Sequence, residues 1–141
     1  MRLLLALLIT GVGFIATSPA SIAVSSGGCS LEPGAPRPGA PFERSHWRCS
    51  RTVERAVAID LMAVLPSGEV VDAGSVVLED RFHAGRRYGG HDDGRMPCGG
   101  AAGAFFVRMT LSSTGGHRTY QHQSSERVPA DELCPVARRG E

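Results

Sequence analysis

The chain contains no lysine and no asparagine. Without lysine, Schiff-base chemistry and a lysine nucleophile are excluded. Without asparagine there is no acceptor for N-glycosylation, which needs Asn-x-Ser/Thr. An excess of either charge is also missing. All the basic residues are arginine, and 15 of them stand against 14 acidic residues, for a formal charge of +1. Such a balance sets up no global field toward nucleic acid or an anionic membrane. The apolar run from Leu3 to Ala16 spans 14 residues, whereas a membrane helix needs about 20. No Gly-x-Ser-x-Gly elbow occurs, and no His-x-His, His-Glu-x-x-His or calcium-loop spacing.

What is present begins with Met1-Arg2 and that apolar run. A basic start, a short apolar stretch and a small-x-small site read as a secretory signal peptide. Cleavage is expected after Ala23, in Ser21-Ile22-Ala23, with Ser18-Pro19-Ala20 as the alternative. Four cysteines follow, an even count that in a small exported chain reads as two disulfides. Cys29, preceded by Ser26-Gly27-Gly28, is like a lipobox cysteine only at the small positions, and acylating it would leave an odd count. The Arg, Ala, Gly and Val content suggests a GC-rich genome, so a bacterial secreted or periplasmic protein is expected, with no membrane contact after cleavage. The mature chain, residues 24–141, is the size of a single domain.

Residues 24–45 carry Pro33, Pro36, Pro38 and Pro41. Proline fixes φ and donates no N–H, so this segment is expected to be an extended Pro/Gly-rich arm. Folded structure is expected over 46–135, followed by a loose tail at 136–141. Trp47, two residues before Cys49, is expected to pack on a cystine. Residues 53–65 fit both a strand alternation and one helical face. The turn Pro66-Ser67-Gly68-Glu69 and the β-branched run 70–78 favour a hairpin, hence a strand. Glycines at 85, 89, 90, 94, 99, 100 and 103 are expected to preclude regular structure between His83 and Gly103. Phe105, Val107, Met109 and Leu111 alternate as one face of a clear strand. Ser113-Thr114-Gly115-Gly116 then turns the chain into a polar edge strand at 118–124, and beyond it mostly coil, tied down at Cys134, is expected.

The last hairpin carries a disulfide argument. Around its turn, positions whose numbers add to about 230 face each other. Extended outward, Cys98 approaches Cys134, which leaves Cys29 for Cys49.

The stretch Leu65-Pro66-Ser67-Gly68-Glu69-Val70-Val71-Asp72-Ala73-Gly74-Ser75-Val76-Val77-Leu78 resembles the first hairpin of transthyretin-like, carboxypeptidase-regulatory-like β-sandwich domains. His91-Asp92-Asp93-Gly94-Arg95 is similar to their Asp-Asp-Gly turn. The resemblance spans residues 53–112 and implies a stabilising or binding role. The turn here leads into Arg95-Met96-Pro97-Cys98 rather than directly into a strand, and the Lys and Asn of the isopeptide-forming adhesin relatives are missing. The fold class expected is all-β: a small antiparallel β-sandwich, Ig-like or transthyretin-like, stapled by two disulfides.

Reactive side chains concentrate in the glycine-rich loop. Arg86, Arg87 and Arg95 offer planar donor forks to phosphate or carboxylate, Tyr88 a stacking face, and His91 a further polar group. These five are the expected ligand-binding residues, for a protein, carbohydrate or anionic partner. His83, His91, Asp92 and Asp93 are the candidates for a metal, although none has a ligand spacing. No cofactor and no catalytic residue is expected. The leading expectation is a non-enzymatic binding domain with its contact surface at 83–97. The alternatives are a protease inhibitor with a loop held at Cys98, and a small metal-dependent or serine-type hydrolase.

Overall fold

The computed structural model describes residues 26–92 and 94–135. The expected signal peptide (1–23), the tail (136–141) and Asp93 lie outside the described residues. Among the described residues eight strands form: β1 (Cys29–Glu32), β2 (His46–Cys49), β3 (Val53–Val64), β4 (Val70–Phe82), β5 (Arg87–Gly89), β6 (Ala104–Ser112), β7 (Thr119–Ser124) and β8 (Val128–Pro129). A single helical turn, α1 (Ala130–Leu133), ends the described chain. The strands make two antiparallel sheets. The smaller has the order β1-β2-β5; the larger has the order β4-β3-β6-β7, with β8 also pairing β6.

The segment open to two readings is a strand, β3, and its position explains the ambiguity. It lies between β4 and β6. Its odd positions Val57, Ile59 and Leu61 enter the core between the sheets, while Ala56, Met62 and Val64 on the other face are also buried. A strand covered on both faces loses its clean alternation. The hairpin to β4 forms as expected: Leu65 N–H donates to Glu69 O at 2.8 Å, and Gly68 N–H to Leu65 O at 2.8 Å. In β6, Phe105, Val107, Met109 and Leu111 all face the core. Opposite them stand Cys29, Leu31, Phe42, Trp47 and Cys49. The two sheets thus form a sandwich.

Both disulfides pair as expected. Cys29–Cys49 joins β1 to β2 within the buried core, and Cys98–Cys134 closes the outer end of the β6 hairpin. Arg108 faces Ser124 and Ala104 faces Pro129. The hairpin register therefore persists almost to the cystine despite the change of partner from β7 to β8.

Three expectations need correction. The Pro/Gly-rich stretch is no free arm. β1 precedes its first proline and occupies a sheet edge, and Leu31, Pro41 and Phe42 are buried. The prolines occupy the return loop, which closes where Gly34 N–H donates to Ser45 Oγ at 3.2 Å. Nor do the glycines preclude structure throughout 83–103, since β5 forms there. Gly89 sits at φ 118°, and a Cβ on it would stand 2.2 Å from Ser45 O. Here glycine allows the backbone approach that β2–β5 pairing needs. Finally, residues 125–135 are not plain coil: β8 and α1 form because Leu133 is buried and Ala130 N–H donates to Gly103 O at 3.0 Å.

Candidate functional site

The short strand β5 exists because its centre stacks on the core. Register places Tyr88 opposite Trp47. Their rings lie 5.8 Å apart at 17°, close to parallel. Phe82, the last residue of β4, meets both edge-on, at 5.4 Å from Trp47 and 4.9 Å from Tyr88. His91 stacks on Trp47 at 6.4 Å. Offset-stacked and edge-to-face contacts of this kind each add about 0.5–1.5 kcal/mol beyond burial. They fix a rigid wall. His83 N–H donates to Tyr88 Oη at 2.7 Å and ties the start of the loop to the same ring.

Against this wall opens a crevice of about 320 Å³, lined by Trp47 and Phe82, by Leu78, Glu79 and Asp80 of β4, by Arg86, Arg87, Tyr88 and Gly89, and by His91. The two arginines differ in state. Among the described residues Arg86 makes no ion pair; its guanidinium lies over the Tyr88 ring, 5.5 Å from the centroid. Arg87 reaches Glu32 at 3.6 Å, with both side chains more than half exposed. An exposed pair of that length contributes about 0–1 kcal/mol. The carboxylates of the crevice have amide partners: Asp80 Oδ1 accepts from Arg81 N–H at 2.7 Å, and Glu79 Oε1 accepts from Gly115 N–H.

Of the five expected ligand-binding residues, Arg86, Arg87, Tyr88 and His91 come together here. Arg95 does not. The chain descends after His91, pressing Gly94 so closely on Phe42 that a Cβ would stand 2.6 Å from its ring, and Arg95 emerges exposed beyond. His83 is exposed and its side chain does not line the crevice. Among the described residues no three His, Cys, Asp or Glu side chains stand together as a metal site, so His83, His91 and Asp92 are not gathered into one. Asp93 lies outside the described residues.

Trp47, Phe82, Leu78, Glu79 and Asp80 were missing from the sequence reading of the site. Trp47 carried one signal, its nearness to Cys49, but that signal points to packing. The residue is almost wholly buried, and its indole N–H has no hydrogen-bond partner among the described residues. Comparison with protein families, with characterised proteins and with solved structures finds no match for this chain.

Proposed function

We propose that the protein is an exported bacterial binding domain, secreted or periplasmic and without catalytic activity, that holds an anionic ligand or partner in the crevice between β4 and β5. One observation carries this reading: the fold gathers Arg86, Arg87, Tyr88 and His91 into a single rigid-walled crevice. A ligand carboxylate or phosphate would meet the planar donor fork of Arg86, which has no ion pair among the described residues. Among the described residues the crevice lining includes no serine, threonine or free cysteine, the nucleophiles a serine- or thiol-type hydrolase would use. Closed disulfides support export. Among the described residues no helix is long and apolar enough to cross a membrane. The resemblance of residues 53–112 to transthyretin-like domains supports the same non-catalytic role.

Trp47 is the sole tryptophan and forms part of the crevice wall, so its fluorescence reports occupancy. Titration with sodium glucuronate, inorganic phosphate and glutamate-containing peptides should give a saturable change for at least one probe. Arg86→Ala should weaken that binding about tenfold or more, the cost of a charge-assisted hydrogen bond. No response to any of these probes, or equal responses in the variant, would refute the reading.

A further inference from the structure

The crevice lies between two open sheet edges, β4 of the larger sheet and β5 of the smaller. The direction of each backbone group along β4 follows from bonds elsewhere. Ser125 N–H donates to Val107 O at 2.8 Å, and Val107 N–H donates to Ser125 Oγ at 2.9 Å. The backbone groups of Val107 therefore face away from β3. Directions alternate along an antiparallel strand. Those of Arg108 and Thr110 face β3, in register with Asp60 and Ala58. Those of Val57 and Ile59 then face β4, toward Leu78 and Val76. It follows that Ser75, Val77, Glu79 and Arg81 turn their N–H and C=O groups outward.

Both ends of this edge are closed. At one, Asp80 takes the Arg81 amide. At the other, the β3–β4 register breaks at Leu61/Met62. Bulges and charges at an edge are the usual means of blocking strand addition. Between the two devices, the outward backbone groups of Ser75, Val77 and Glu79 have no partner among the described residues, and the Val77 side chain is 63% exposed. A window of about five residues is the length of an ordinary short strand.

We propose that this window takes an extended peptide bearing an acidic side chain, added as a further strand beside β4. The inference rests on the crevice reading above and names its ligand class. Residues of an added strand opposite Leu78 and Asp80 would point to the same face as those two, which line the crevice. Arg86 has no ion pair among the described residues, and the acidic side chain belongs opposite Leu78, because opposite Asp80, which keeps its charge while accepting an amide, it would meet a like charge. A second copy of the chain pairing through its own β4 about the window's centre would set Val76 opposite Leu78 and Gly74 opposite Asp80. Neither brings a carboxylate, so an acidic peptide is the occupant that fits. Backbone pairing would supply affinity and the Arg86 fork selectivity.

The test uses acetylated, amidated hexapeptides of alternating Val and Thr with Glu walked through each position, followed by Trp47 fluorescence and calorimetry. One placement of Glu should bind best. Its Gln counterpart, its counterpart N-methylated at alternate amides, and the Arg86→Ala protein should each bind about tenfold more weakly or worse. Val77→Pro removes an outward N–H that no β3 bond uses, so an edge strand should tolerate it, and it should reduce binding as much as peptide N-methylation does. Should Val77→Pro fail to fold, the N-methylated peptides decide alone. If glucuronate binds in an Arg86-dependent way but no peptide does, strand addition is overturned and the crevice reading stands. If no probe binds, both fall. Unchanged binding of the N-methylated or Gln peptides overturns the proposal. So does a dimer in sedimentation that Val77→Pro dissolves while no peptide binds, since the occupant would then be a second copy.

Discussion

Replacing each cystine by a pair of alanines sets two effects against one another. Cys98–Cys134 spans a sequence separation of 36, and Cys29–Cys49 one of 20. If a cross-link acts only by restricting the unfolded chain, the longer loop contributes about 4 kcal/mol and the shorter about 3 kcal/mol. On that ground alone Cys98→Ala/Cys134→Ala is the more damaging change. Burial reverses the order. Cys29 and Cys49 are both 0% exposed, in the cluster that holds Leu31 and Trp47. Cys98 is exposed and Cys134 half-buried. Deleting two sulfurs from the packed interior costs about 1 kcal/mol or more each in lost transfer energy and residual cavity. Cys29→Ala/Cys49→Ala should therefore lose about 5 kcal/mol, against about 4 kcal/mol for the outer pair. For a domain of ordinary stability, about 5–15 kcal/mol, either is a large fraction. Urea unfolding followed by Trp47 fluorescence measures both losses. The slope with denaturant should rise in each variant as the unfolded chain expands. An outer-pair loss exceeding the inner-pair loss would refute the claim that burial decides. Losses below about 1 kcal/mol with unchanged slopes would refute the loop argument itself.

Two further predictions concern single side chains. Gly34→Ala would set a Cβ 2.2 Å from Arg44 O and 2.4 Å from Arg44 Cβ, a clash with backbone that no rotamer relieves; thermal unfolding should show a loss of about 1–3 kcal/mol or more. At Gly100 a Cβ would meet nothing within 4 Å, so Gly100→Ala should stay within about 0.5 kcal/mol. On the outer face, Ser75 Oγ donates to Asp60 Oδ1 at 2.6 Å, while Arg108 stands 3.5 Å from Asp60 Oδ2 and is 40% exposed. Ser75→Ala should cost about 1–2 kcal/mol and Arg108→Ala less than about 1 kcal/mol, as measured by chemical unfolding; the reverse order would show that the ion pair, not the hydrogen bond, supports Asp60.

The long strands were legible because their signals are local. The Pro-Ser-Gly-Glu turn sets the β3–β4 hairpin, and the alternation from Phe105 to Leu111 marks which face of β6 is buried. The Cys98–Cys134 pairing was legible as well, since register propagates outward from a turn and the chain kept it through β8. The small sheet was not legible. β1 and β5 are four and three residues long, too short to show a period, and each lies in a segment whose prolines or glycines argue against a strand. What makes them strands is β2 between them, with Cys49 bonded to Cys29 and Trp47 stacked on Tyr88.

The candidate site divides in the same way. Its charged half, Arg86, Arg87, Tyr88 and His91, sits in one short run of sequence and could be named from residue chemistry alone. The wall behind it comes from Trp47 and Phe82, and its far side from Leu78 to Asp80. Those residues converge only because the two sheets meet face to face, and no spacing in the chain encodes that meeting. The sequence by itself determined the all-β class, the longer hairpins and the excluded lysine chemistry, since turn residues, side-chain period and composition act over a few neighbours. Tertiary structure alone decided that the proline-rich segment belongs to the core, that Arg95 leaves the site, and that the edge of β4 opens beside the arginines. Each of these depends on contacts between distant parts of the chain, and such contacts form only when the core closes.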